Sequence, residues 1–354
     1  MAHFPARRSP RRVAIGLAAI LSVLLAICCI PAQAEEGGSS SPAAAPTQQA
    51  QPVQSAKKTP RAHKHKRRRH HHRVAVSYSK KMQTASDTPE GDLALKSSSA
   101  LIVDQDSGET LAMKNPDAVM PIASLTKLMT ALVVIDAQLP MDEILQISSE
   151  DIDRERNTHS RLTVGTRLSR GQMLLLALMS SENRAAMALS RNYPGGRKAF
   201  IAQMNAKAQT LGMTSTHFAD PAGLSNGSVS TARDLHRLLE AAYAEPLIRS
   251  DTTHEESTIR VNRRTLTFVN TNRLVRSASG DWDINLQKPG FTNEAGHCLV
   301  MQVTLQGRRL AMILLDSAGK LTRFADAARV RQWFELNAKT LQPHMAATAV
   351  AASP

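Results

Sequence analysis

From Ala100 onward the chain alternates between short apolar runs and longer amphipathic stretches, and the two periods predict different elements. Ala100 to Asp104 and Thr110 to Lys114 are β-type runs on either side of Asp106-Ser-Gly108, a hairpin signal. Leu125 to Ala137 is apolar over a helical length and stops before Pro140. Ser169-Arg-Gly-Gln172 has the form of a capping box and predicts a second helix, Met173 to Met179. Lys198 to Leu211 predicts a third, ending at Gly212, and Thr231 to Ala244 a fourth, capped at Ser230. Cys298 to Leu305 and Arg309 to Asp316 predict a hairpin about Gln306-Gly307, and Arg323 to Ala338 a closing helix. Strands at both ends of this region, with helices between them, predict one mixed α/β domain whose sheet joins its two ends. There is no internal repeat.

The first ninety residues lack both periods. Four arginines (Arg7, Arg8, Arg11, Arg12) precede an uncharged apolar run from Val13 to Ile30, and Ala32-Gln33-Ala34 supplies a small-x-small cleavage site. Residues 1–34 therefore read as an export signal, which places the working chain in the periplasm. The run lies at the lower edge of a membrane span, so an uncleaved inner-membrane anchor is the alternative. Ile27 argues against lipidation at Cys28 or Cys29. Residues 35–92 have linker composition: Ala, Pro, Ser, Gln and Gly first, then a Lys/Arg/His block, then Ser, Lys and Thr. An ordered domain is expected from 93 to 342, with a disordered tail at 343–354.

The length of 354 residues permits a large core, and 42% hydrophobic with 21% charged residues excludes a polytopic membrane protein or a wholly disordered chain. The net charge of +14 first suggests a nucleic-acid partner. Its location argues otherwise. Four cations lie in the export segment and nine more between residues 57 and 73. Removing those thirteen, together with Glu35 and Glu36, leaves +3 for residues 74–354, so no basic nucleic-acid fold is indicated. The block at 57–73 reads either as a solvated, self-repelling tether or as an element attracted to anionic wall polymer or membrane surface. Interleaved cations oppose a metal site at its histidines, His63, His65, His70, His71 and His72. Beyond the export segment only Cys298 remains, so no internal disulfide is available, and its apolar strand setting predicts a buried small hydrophobe.

No metal-ligand set, phosphate-binding glycine loop or dinucleotide fingerprint occurs, so neither metal nor cofactor is expected. Ser124-Leu-Thr-Lys127 does occur. On a helix, residues i and i+3 share a face, so the hydroxyl and the amine can meet. A lysine whose pKa is depressed can then act as base for a serine nucleophile. The spacing recurs at Ser55/Lys58, Ser77/Lys80 and Ser317/Lys320, but only Ser124 opens an apolar helix.

Ser181-Glu-Asn183 and Lys288-Pro-Gly290 complete an ordered set, Ser-x-x-Lys, Ser-x-Asn, Lys-x-Gly, that resembles the penicillin-recognising serine peptidases and β-lactamases. Pro121-Ile-Ala-Ser-Leu-Thr-Lys-Leu-Met-Thr130, Met179-Ser-Ser-Glu-Asn-Arg-Ala-Ala186, Phe218-Ala-Asp-Pro-Ala-Gly-Leu224 and Gly290-Phe-Thr-Asn-Glu-Ala-Gly-His-Cys298 look like the D-alanyl-D-alanine endopeptidase branch of the low-molecular-mass penicillin-binding proteins. The resemblance spans roughly residues 95–340. It implies an antiparallel sheet flanked by helices, a helical subdomain, and an active site between them. It implies peptidoglycan as substrate and β-lactams as covalent inhibitors. Residue by residue, it implies Ser124 as nucleophile, Lys127 as its base, and Ser181 as proton relay to the leaving amine. Asn183 would hold the substrate amide, Lys288 would supply positive field, and the N–H groups of Ser124 and Phe291 would form an oxyanion hole beside Gly290. Asp220, Pro221 and Gly223 match too, although a turn explains them.

One position departs from the pattern. Pro289 stands where the family has Thr or Ser, so a substrate-binding hydroxyl is missing, with Thr292 as a substitute source. Backbone N–H groups alternate sides with period 2, so residues 289 and 291 point the same way. If the Phe291 N–H faces the cleft, the N–H missing at Pro289 would have faced it too, which fits a proline on an edge strand. A class A β-lactamase is disfavoured, since no Glu-x-x-Leu-Asn pattern lies between Asn183 and Lys288. Family carboxypeptidases usually carry a second β domain, for which the stretch after Lys288 is too short. The endopeptidase is therefore the expected activity. A D-Ala-D-Ala carboxypeptidase and a non-catalytic wall-binding protein are the alternatives.

Overall fold

The computed structural model describes residues 93–277 and 280–337. The export signal, the linker with its basic block, and the tail lie outside these residues. After β1 (Ser97–Asp104) and β2 (Thr110–Lys114) come β3 (Met120–Pro121), a 3-10 turn (Ala123–Leu125), α1 (Thr126–Asp136), β4 (Ile144–Gln146), a second 3-10 turn (Ser149–Asp151), β5 (Arg167–Ser169), α2 (Arg170–Met179), α3 (Asn183–Arg191), α4 (Gly196–Thr210) and β6 (Val229–Ser230). Then come α5 (Ala232–Ala244), α6 (Pro246–Thr253), β7 (Glu256–Val261), β8 (Arg264–Val269), β9 (Asp283–Thr292), β10 (Gly296–Leu305), β11 (Arg308–Ser317) and α7 (Thr322–Asn337).

The main sheet has five strands in the order β2-β1-β11-β10-β9, all antiparallel. As the pattern predicts, the first and last strands meet: β1 pairs with β11, with Ala100 opposite Leu314 and Ile102 opposite Met312. The near-continuous apolar runs of β10 and β11 reflect burial on both faces. Ala311, Ile313 and Leu315 join a core with α1 to α5, whereas Leu310, Met312 and Leu314 face α7 through Phe324, Val330 and Phe334. Helix α1 is buried from Thr126 to Val134, as an all-round apolar helix must be.

Capping chemistry sets several boundaries. The Ser169 hydroxyl accepts from the Gln172 N–H, and Gln172 Oε1 accepts from the Ser169 N–H, completing the expected box. The cap of α5 is Thr231 rather than Ser230: Thr231 Oγ1 accepts from the Asp234 N–H at 3.0 Å. Ser230 is engaged elsewhere, in the short pairing of β6 with β3 and a 2.7 Å contact to Thr216 Oγ1. Strand β9 has a neighbour on one side only, and this edge accommodates Pro289. On β9, Lys288 and Gly290 lie opposite Val300 and Cys298, so they share the sheet face that α1 covers. Cys298 is buried, its Sγ donates to the Ala295 carbonyl, and burial pushes its thiol up to about 12.

Candidate active site

Two close approaches bring Ser124 to its neighbours. Ala123 adopts a left-handed φ of +48°, turning the chain sharply into the 3-10 turn that carries Ser124. Gly223 (φ +76°) presses on that turn so tightly that a Cβ there would lie 1.8 Å from the Ala123 carbonyl oxygen. On the opposite side, a Cβ at Gly290 would lie 3.2 Å from the Ser124 nitrogen and 3.1 Å from the Ile122 carbonyl oxygen. Glycine at both positions lets a loop and a strand close on Ser124.

Lys127 is fully buried one helical turn later. Its Nζ donates to Ser124 Oγ at 2.9 Å, Asn183 Oδ1 at 2.8 Å and the Ala222 carbonyl at 2.7 Å. Burial lowers its pKa to about 7, against the opposing pull of Asp220, Glu182 and Asp153. The Ala222 carbonyl is fixed by Asp220, whose carboxylate accepts from the N–H groups of Ala222, Gly223, Leu224 and Ser225. Lys288 is equally buried and donates to the Pro289 carbonyl at 3.2 Å. Burial, together with the nearby cations Lys127 and Arg323, pushes it well below the ordinary lysine range.

Ser181 and Asn183 flank the junction of α2 and α3. Ser181 has φ +60°, a conformation that costs a non-glycine residue energy and that concentrates at functional sites. The structure thus joins Ser124, Lys127 and Asn183 by hydrogen bonds and brings Gly290 against Ser124. The hydroxyl of Ser181 makes no hydrogen bond among the described residues. Thr292 Oγ1 accepts from the Ala295 N–H at 3.1 Å, so its oxygen serves the β9–β10 turn. The Phe291 ring, 52% exposed, stacks on His297 with centroids 4.2 Å apart.

Sequence reasoning missed the loop between the second 3-10 turn and β5. Within it, Arg156 contacts the Leu224 carbonyl and Asn226 Oδ1 and pairs with Glu294 at 2.8 Å, tying three segments around the cleft. Thr158 accepts from Asn183 Nδ2, and Ser160 donates to Glu182. Nothing periodic marks these residues. Only the aspartate Asp153, which turns the loop by accepting from the N–H groups of Glu155, Arg156 and Thr158, carries a local signal.

A serine hydroxyl held against a buried amine of depressed basicity defines a serine acyl-transfer site. A family profile described as D-alanyl-D-alanine carboxypeptidase, of peptidase family S11, matches residues 82–319, and the chain belongs to that family. It is 50% identical over 266 residues to a D-alanyl-D-alanine endopeptidase of Pseudomonas aeruginosa, covering 73% of this chain and 85% of that one. To a D-alanyl-D-alanine endopeptidase of Escherichia coli it is 49% identical over 255 residues, covering 72% and 82%. The crystal structure of the Streptomyces K15 DD-transpeptidase is similar in fold, with a TM-score of 0.64 at 27% identity, covering 70% of this chain and 99% of that one.

Proposed function

We propose that the chain is a serine DD-endopeptidase that hydrolyses the D-alanyl peptide crosslinks of peptidoglycan in the periplasm, after export directed by residues 1–34. The observation that carries this reading is Lys127 Nζ at 2.9 Å from Ser124 Oγ, buried and lowered to about 7. A neutral Lys127 takes the Ser124 proton as Oγ attacks the D-alanyl carbonyl carbon. The oxyanion is met by the N–H groups of Ser124 and Phe291, which the close approach at Gly290 supports. Ser181 passes a proton to the departing amine, the acyl-enzyme remains on Ser124, and water releases it. Asn183 orients the substrate amide. A substrate carboxylate would favour the charged form of Lys288 and bind there, with Thr292 nearby. β-Lactams would acylate the same serine.

The family description names a carboxypeptidase, whereas relatives at 50% and 49% identity are named endopeptidases. The identity of those two supports the endopeptidase. Residues 57–73 would hold the enzyme near anionic wall or membrane surface. Purified enzyme should convert crosslinked dimeric muropeptides to monomers and release little D-alanine from pentapeptide monomers. Abundant D-alanine from monomers would favour the carboxypeptidase. Deleting 57–73 should weaken retention on isolated wall at low salt and leave turnover of soluble muropeptides unchanged; salt-independent retention would reduce the block to a spacer.

A further inference from the structure

A side-chain amide has an accepting end and a donating end, and half a turn about its last bond exchanges them. Only one orientation of Asn183 serves the site, with Oδ1 toward the Lys127 ammonium at 2.8 Å. The other end, Nδ2, lies 2.9 Å from Thr158 Oγ1. That hydroxyl in turn lies 2.7 Å from Asp153 Oδ2.

Asp153 is buried, 5% exposed. Burial works against its charge, but the N–H groups of Arg156, Thr158 and Glu155 and the Thr158 hydroxyl hold its carboxyl below the ordinary range. An ionised carboxylate only accepts. The single proton of the Thr158 hydroxyl therefore goes to Asp153, and toward Asn183 the Thr158 oxygen can only accept. Asn183 must present Nδ2 to it, which leaves Oδ1 for Lys127.

We propose that Thr158, locked by Asp153, is a positioning residue that dictates the amide orientation of Asn183 and so aims Lys127 at Ser124. This rests on the acyl-transfer reading above. Without the Thr158 hydroxyl, the amide is free to turn Nδ2 toward Lys127. The acceptor that stabilised the ammonium is then lost, so the pKa of Lys127 falls further. The amine's lone pair is also engaged by the amide instead of the Ser124 proton, so acylation slows on the plateau, where Lys127 is neutral. Of the other charges that bear on Lys127, those of Asp220, Glu182 and Lys288 make no hydrogen bond to Thr158, and Asp153 keeps the N–H groups of Glu155, Arg156 and Thr158.

The test is the second-order rate of acylation of the full chain by a labelled penicillin, followed from about pH 5 to about pH 9. Wild type, Thr158→Val and Thr158→Ser are compared, each scaled to the sites that label at long times, so that unfolded material does not count. Thr158→Val should lower the plateau about tenfold and move the acid limb about one pH unit lower, the size expected for one hydrogen bond to a charged group. Thr158→Ser should restore both. A slower valine variant with an unmoved limb would reduce Thr158 to a structural part, and a serine variant that restores neither quantity would overturn the inference. If the wild type itself never labels, the acyl-transfer reading fails and this inference with it. If it labels and Thr158→Val matches it in rate and limb, the inference alone fails.

Discussion

On the α7 face of the sheet Asp326 is fully buried, and its carboxylate is saturated: it accepts from the N–H groups of Lys96 and Ser97 and from Ser97 Oγ, and it pairs with Arg329. On the α1 face Lys127 and Lys288 are buried just as completely, yet neither has a carboxylate within ion-pair distance among the described residues. Their hydrogen-bond partners are hydroxyl, amide and carbonyl oxygens. The saturated charge ties the start of β1 to the last helix. The unsaturated pair costs stability, because burial penalises a charge that no direct ion pair offsets, and in exchange leaves two amines of lowered pKa in the site. One face holds the two ends of the domain together, and the other holds reactivity.

The largest effect that separates the two faces should come from Lys127→Met. Acylation by labelled penicillin should fall by about 10²–10⁴-fold, the usual worth of a positioned base. The melting temperature at pH 7 should fall by no more than about 4 °C, since an uncompensated charge leaves along with its hydrogen bonds. A large loss of stability would mean that Lys127 is a structural cation like those around Asp326. Asp326→Ala should behave in reverse. Urea unfolding should register a loss of about 3 kcal/mol, since buried N–H donors and an ion pair lose their acceptor. The rate per labelled site should stay within about twofold of wild type, because α7 lies across the sheet from the cleft.

The smallest change expected is Pro289→Thr. A hydroxyl that donates to a substrate carboxylate is worth about 1.5–3 kcal/mol, so acylation should rise by roughly tenfold or more. Stability should barely move, because β9 is an edge strand. A fall in acylation would mean that the cleft is built around the proline.

Much of the architecture could be read from the chain because its signals are local. The Ser169 box, the Gln306-Gly307 turn and the doubly buried strands each announce themselves within ten residues. The union of β1 with β11 followed from the positions of the strands alone. Helices α3 and α6 and the hairpin of β7 and β8 were not foreseen. Asn183–Arg191 and Pro246–Thr253 are short, the second mostly polar, and the β7–β8 turn at Asn262 has none of the usual glycine. Motif spacing brought out Ser124, Lys127 and Asn183. It could not bring out Thr158, Arg156 or the Ala222 carbonyl, because their roles arise from contacts across the sequence that no period records. The left-handed Ser181 and Ala123 were equally invisible, since neither residue type favours that conformation.

The central claim is that Lys127 works as a neutral base at ordinary pH, and the pH dependence of wild-type acylation tests it most directly. With its pKa lowered to about 7, the fraction of neutral Lys127 grows as pH rises through that value. The second-order rate should therefore climb about tenfold per pH unit below it and level off above it. A rate that is flat from about pH 5 to about pH 8, or that climbs only toward the pKa of an ordinary lysine near 10.4, would contradict the account.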